Sequence, residues 1–299
     1  MNVKKLRLYY EENNRRPLTL LWKHFVNQHF SVAALITLSV VFVIAILAPV
    51  LTPHSPYLQN SELLLMPPSW QNNGLVTYPL GTDDLGRDQL SRLMLGASYT
   101  FGMALLTTLL AMLLGLVLGA LAGMSSGVKS SIFNHLLDLA LTIPSLLLAI
   151  VIVAVLGPGL VNTVWAVTFA LLPHFVHGTR DAISKQLKQD YVLAYRLDGA
   201  NDWQILRSVV LPNLWESITL LFTMAFSTAI LDIAAMGFLG LGAQAPTPEW
   251  GTMVADALDS IYLAPWCVAL PGFLIFVTVL SINLVGDGLR VAMQKRREN

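Results

Sequence analysis

Charged residues are scarce in this chain. Of its 299 residues only 12% are Asp, Glu, Lys or Arg, against 55% hydrophobic, and the mean hydropathy is +0.63. Soluble domains carry about 25% charged residues, so the deficit excludes an ordinary water-soluble domain and points to a bilayer. Cysteine is nearly absent. Cys267 alone, inside an apolar run, excludes an intramolecular disulfide and argues against a thiol-ligated metal. With 18 basic and 18 acidic side chains the net charge is zero, so bulk charge does not suggest nucleic acid. Catalytic signatures are missing too. The nearest approach to G-x-x-x-x-G-K-[ST], SSGVKSS at 125–131, lacks the Gly-Lys pair that cradles phosphate. No nucleophile elbow, H-E-x-x-H or paired cysteine occurs. The chain is expected to be no enzyme, with no cofactor of its own.

What it has in quantity is long apolar runs. A span needs about 20 such residues, and runs of that kind lie near 29–51, 99–123, 132–156, 161–179, 215–237 and 264–286. The first is too long for a signal-peptide core and no A-x-A-like site follows it, so it reads as a retained helix. Ahead of it, PLTLLWKHFVNQHF mixes Leu, Trp and Phe with Lys and His, as interfacial helices do. The fold class is therefore an all-α membrane protein with six transmembrane helices. Lys and Arg set its orientation. With the N-terminus inside, sixteen of the eighteen basic residues fall on the cytoplasmic side, and only Arg87 and Arg92 fall outside. Both termini are then cytoplasmic. The chain divides into an interfacial segment 1–28, a first helix 29–51, a periplasmic segment 52–98, a core 99–288 and a tail 289–299.

That topology places one polar interlude, 180–213, in the cytoplasm. Its second half reads DYVLAYRLDGANDWQILRSVVLPN (190–213). Tyr191, Val192, Ala194 and Tyr195 make one helix face apolar. Gly199 sits where a left-handed C-cap belongs, and Asn201 with Asp202 suits the start of a second helix. Trp203, Leu206 and Val210, with Val209 beside them, would form its apolar face, and Pro212 its end. Two short amphipathic helices at a glycine corner form a knob too small for a core of its own. Either the chain's own bundle or a partner covers it.

Acids within the spans are costly and usually face a cavity or a partner. Asp232, in the fifth span, and Asp138, in the third, are candidates for a translocation path; the alternative is a hydrogen bond to a neighbouring helix or subunit. Outer segments hold Glu62, Asp83, Asp84, Asp88, Glu249, Asp256 and Asp259 against two arginines, an acidic mouth that favours cations. The same charges also suit docking of another protein. His135, His174 and His177 have spacing that permits a metal, but histidines at span ends are more often interfacial. Gly115, Gly119 and Gly123 repeat the G-x-x-x-G spacing of close helix packing. Pro144 and Pro271 lie inside spans and are candidates for bends, and Gly157-Pro158-Gly159 reads as a tight turn.

Several stretches resemble one family. Gly199, nine residues, then Val209-Val210-Leu211-Pro212 is similar to the G-x9-I-x-L-P part of the cytoplasmic loop of ABC-importer permeases, with Leu193-Ala194-Tyr195 in place of the family's Glu-Ala-Ala. PLGTDDLGRDQLSRLMLGA (79–97), FLGLGAQAPTPEWGTM (238–253), APWCVALPG (264–272) and NLVGDGLR (283–290) resemble successive segments of the C-type permease of peptide and nickel importers. The resemblance implies a type I importer permease fold in the inner membrane. It implies a B-type permease partner, two ATPase subunits that bind ATP and Mg, and a periplasmic binding protein. It assigns ATPase coupling to Tyr191, Val192, Ala194, Asp198, Gly199, Ala200, Leu211 and Pro212, and offers the second permease as the neighbour of the glycine row. PPSW (67–70), NHLLDLALTIPSLLLAI (134–150), RLDGA (196–200) and AILDIAAMGFL (229–239) resemble a branch associated with antimicrobial peptides and, in other settings, with haem or polyamines. Cationic peptides are the expected cargo, with dipeptides, haem or polyamines as alternatives and export left open. A channel, an ion-coupled carrier or a non-conducting scaffold would be the rival of another class; dependence on a separate ATPase separates them.

Overall fold

The computed structural model describes residues 17–125, 135 and 137–298; the stretch 126–134, with Lys129, lies outside them. The described residues form helices joined by irregular segments and contain no strand. The elements are α1 Pro17–Val26, α2 His29–Leu51, α3 Gln89–Met124, α4 Ser145–Leu156, α5 Leu160–Leu187, α6 Asp190–Leu197 and α7 Asp202–Ile205. A π-turn over Leu206–Val210 leads into α8 Leu211–Asn213, followed by α9 Trp215–Phe238, α10 Trp250–Asp256 and α11 Pro265–Glu298. Five of these, α2, α3, α5, α9 and α11, are long and apolar enough to cross a bilayer.

The sixth expected span is not one helix among the described residues. Helix reaches residue 141, Thr142 and Ile143 leave it, and Pro144 stands as the N-cap of the 12-residue α4. Proline has no N–H to continue the ladder and disfavours helix in the residue before it, so the chain breaks where a bend was expected. Pro271 has the opposite outcome: α11 runs through it. At the other end of α4, Gly157 and Gly159 take φ of +88° and +140°, the tight turn expected there.

Lipid tails are as apolar as leucine, so the spans associate through close packing rather than through exclusion of water. The glycine row of α3 shows how. A Cβ on Gly115 would lie 2.3 Å from Cβ of Phe175, one on Gly119 2.6 Å from Cβ of Thr179, and one on Gly123 2.9 Å from Cγ2 of Ile183. Each step of four along α3 meets a step of four along α5, so the two helices run parallel in contact. The row therefore packs against this chain's own α5, not against the second permease suggested for it. Gly115→Leu is expected to lower the unfolding temperature in detergent, with an overpacking cost of about 1–3 kcal/mol; an unchanged temperature would contradict this register.

Two ends of the bundle differ in character. At the end where α3 and α11 begin, the 52–88 segment and α10 close over the spans, and the Gln89 amide donates to the Cys267 carbonyl at 3.4 Å. At the opposite end α1 lies across the C-terminal part of α11, burying Leu21 and Phe25 against Ala292 and Met293. The 190–213 knob sits at this same end, beneath α3 and α5.

Candidate functional site

The knob is built as local rules dictate, with one departure. Helix α6 ends in a Schellman arrangement: Gly199 takes φ +86°, its N–H donates to the Arg196 carbonyl at 3.0 Å, and Ala200 N–H reaches back to Tyr195 at 3.0 Å. A capping box then opens α7. Gln204 N–H donates to Asn201 Oδ1 at 2.8 Å, and Asn201 N–H to Gln204 Oε1 at 2.9 Å. The departure lies ahead of Pro212, which cannot donate into the helical ladder. Leu211 N–H reaches back five residues to the Leu206 carbonyl, so the helix widens into a π-turn before continuing past the proline.

That geometry gives the knob two faces. Val192, Ile205, Leu206, Val209, Val210 and Leu214 are buried with Ile183 of α5, against Ala120 and Met124 of α3. Trp203 does not join them. Ile205 takes the inward position, and the indole is left 65% exposed with Leu193, Tyr195 and Leu197 also exposed around the corner. Of the residues assigned to coupling, Val192 and the half-covered Ala200 turn toward the bundle, whereas Tyr191, Ala194, Asp198, Gly199, Leu211 and Pro212 are exposed. The knob is thus both packed on its own bundle and open on its far side. Each large side chain on its covered face contributes about 1.5–3 kcal/mol where burial removes it from water.

The two intramembrane acids part company. Asp138 is exposed on the isolated chain. Asp232 is 6% exposed, lies within reach of the Ser145 hydroxyl, and has a carboxylate oxygen without a partner among the described residues. His177 pairs with Asp181 at 3.2 Å and His135 is exposed. No group of three metal-ligating side chains occurs among the described residues.

At the acidic end most of the charge is structural. Asp83 accepts from Arg87 Nε at 2.6 Å and faces Arg92 Nε at 3.3 Å, and all three are buried. Asp88 caps α3, accepting from Ser91 N–H at 3.0 Å, which starts that helix ten residues before the expected span because polar Gln89, Ser91 and Arg92 are buried there. Glu249 is fully enclosed. Its carboxylate accepts from Thr100 Oγ1 at 2.7 Å and from the Gly251 and Thr252 N–H groups at 3.0 Å each. Burial pushes this carboxyl above the ordinary glutamate value, outweighing the three donors that pull it down. Glu62, Asp84, Asp256 and Asp259 remain exposed, so the acidic mouth is narrower than the composition implies. Sequence reading counted Glu249 as a surface charge; the signal that it is not was its place directly before Trp250-Gly251-Thr252, a capping-box position.

Comparison with known proteins gives the arrangement a family. Residues 115–299 match the family described as binding-protein-dependent transport system inner membrane component, and residues 16–68 match the N-terminal transmembrane domain of oligopeptide transport permease C. The dipeptide transport permease DppC of Escherichia coli K12 is 48% identical over 94% of this chain and 93% of its own length. The di/tripeptide permease DppC of Pseudomonas aeruginosa is 45% identical over 95% and 93%. The peptide transport permease SapC of Escherichia coli O6:H1 is 46% identical over 96% and 97%. An inward-facing structure of the MetNI methionine ABC transporter overlays on 69% of this chain and 96% of the matched one with a TM-score of 0.53 at 18% identity, a likeness of fold. This chain belongs to the inner-membrane permease components of binding-protein-dependent ABC transport systems, in the branch that holds DppC and SapC.

Proposed function

We propose that this chain is the C-type permease subunit of an ABC importer of peptides in the inner membrane. It pairs with a B-type permease, is driven by two ATPase subunits that carry the ATP and Mg, and receives cargo from a periplasmic binding protein. The basic end, with both termini and the knob, is cytoplasmic. The observation that carries this reading is the two-faced knob. A loop that only packed its own bundle would have no reason to leave Trp203, Leu193, Tyr195 and Leu197 exposed beside a rigid glycine corner. That face is offered to the ATPase, while the buried face ties its movement to α3 and α5. Closure of the ATPases pushes the knob, and the spans that flank it transmit the push to the outer gate.

Support for peptide cargo comes from the relatives, named for dipeptide, di/tripeptide and peptide transport. The exposed outer acids and the buried Asp232 favour cationic peptides. The deciding experiment is uptake of labelled dileucine and trilysine into proteoliposomes holding both permeases, both ATPases and the binding protein. ATP-dependent uptake supports the reading; its absence in a fully assembled complex refutes it. A single side chain should report on the docking face. Trp203→Ala is expected to weaken capture of the ATPase by roughly 30-fold, the scale of an aromatic hot spot of at least about 2 kcal/mol. The chain's own unfolding temperature should not move, since the indole is mostly exposed.

A further inference from the structure

One cavity lies within the spans at mid-chain. It measures 340 Å³, lies between α5, α9 and the start of α4, and is walled mainly by Leu141, Leu171, Phe175, Leu221, Met224 and Ala225. Its volume falls in the range of small-ligand pockets. Ser145 and Thr228 are polar points on its wall, with His174 and His177 also on the lining. On α9 the residues that line it recur at helical spacing, Leu221, Met224, Ala225 and Thr228, and the next position on that face is Asp232. The Ser145 hydroxyl, on the cavity wall, lies within reach of that carboxylate.

Asp232 is an incomplete arrangement. A buried carboxylate is costly without a partner. This one is 6% exposed, has one oxygen unpaired, and joins no ion pair among the described residues. The missing group has to be a hydrogen-bond donor, and a positive one suits a carboxylate best. A ligand that fills the cavity with an apolar side chain would bring a neighbouring ammonium to Asp232. Building on the peptide-permease reading, we propose that Asp232 and Ser145 bind the N-terminal ammonium of the transported peptide while the adjacent cavity takes its first apolar side chain.

The test uses the complete transporter in membrane vesicles, with Thr228→Cys as reporter on the same helix face. Modification at position 228 is followed by peptide mass spectrometry with a cationic trimethylammonium methanethiosulfonate and an anionic sulfonate analogue. A buried carboxylate concentrates cations about tenfold or more, so the cationic-to-anionic rate ratio should fall by about tenfold when Asp232→Asn is added, and recover with Asp232→Glu. Leucinamide should slow modification and N-acetyl-leucinamide should not. A ratio unmoved by Asp232→Asn overturns the proposal. So does equal protection by the acetylated probe, which would make the cavity an apolar or lipid site only. Loss of the second permease from the Asp232→Asn complex would overturn it in favour of a partner side chain on Asp232. ATP-driven uptake by the wild-type vesicles is recorded in parallel. If it is present while the charge preference is absent, the subsite alone fails; if uptake and bound ATPase are both absent, the permease reading fails as well.

Discussion

Gly199→Asp is expected to cut ATP-driven uptake by about tenfold or more while leaving the chain inserted and its spans packed. Two mechanisms predict a loss here, and the structure separates them. Gly199 holds φ +86°, where an ordinary residue costs about 1–2 kcal/mol, enough alone for up to about a thirtyfold change in an equilibrium. A Cβ at this corner would meet nothing within 4 Å, so no clash inside the chain adds to that cost. Backbone strain alone would then make Ala at least as harmful as Asp or Asn, since the short polar side chains tolerate the left-handed region better. A docking corner reverses the order, because a charged side chain projecting from the knob meets the partner and Ala hardly does. Uptake in Gly199→Ala, Gly199→Asn and Gly199→Asp should therefore fall in that order, Asp worst. Ala as the most damaging of the three would locate the defect in the chain's own turn and remove the reason to call the corner a contact.

The second large effect is structural. Glu249→Ala should destabilise the outer end of the bundle by at least about 3 kcal/mol, because each buried donor left unsatisfied costs about 1–3 kcal/mol. Three lose their acceptor at once, the Thr100 hydroxyl and the Gly251 and Thr252 N–H groups. The same change removes the cap of α10 and opens a void beside Gly237, where a Cβ would lie only 2.0 Å from the Glu249 carboxylate. Glu249→Gln keeps the shape and one acceptor oxygen and gives up a charge that burial already disfavours, so it should fall between the wild type and Ala. The check is the half-life of the folded chain in detergent on mild heating. Equal half-lives for wild type and Ala would show that water reaches those donors and that α10 is not held as described.

The parts of the fold that rest on long-range averages were legible in the sequence. Apolar runs fixed α2 at His29–Leu51 and α9 at Trp215–Phe238 to within a residue, since hydropathy summed over 20 positions tolerates single exceptions. Where one residue overrides the average, the reading slipped. Pro144 divided a run that composition treats as continuous, and Asp88 with its cap started α3 well before the apolar residues do. The knob shows both outcomes. Its corner and capping box were visible because Gly199 and Asn201 act through their immediate neighbours. The orientation of Trp203 was not, because the π-turn ahead of Pro212 and the inward claim of Ile205 depend on what α3 and α5 present to it. The same holds for the site residues. An acid in a span is conspicuous in any sequence, but that Asp232 meets Ser145 and that Glu249 is enclosed required two helices distant in the chain to be placed side by side.

Affinity purification of the native chain from membranes, with quantitative mass spectrometry of whatever accompanies it, bears most directly on the central claim. The account predicts one second permease and two ATPase subunits per chain, with the ATPases, but not the second permease, depleted by Gly199→Asp. A chain that purifies with no ATPase in either form would contradict it, and the exposed face of the knob would then need another partner.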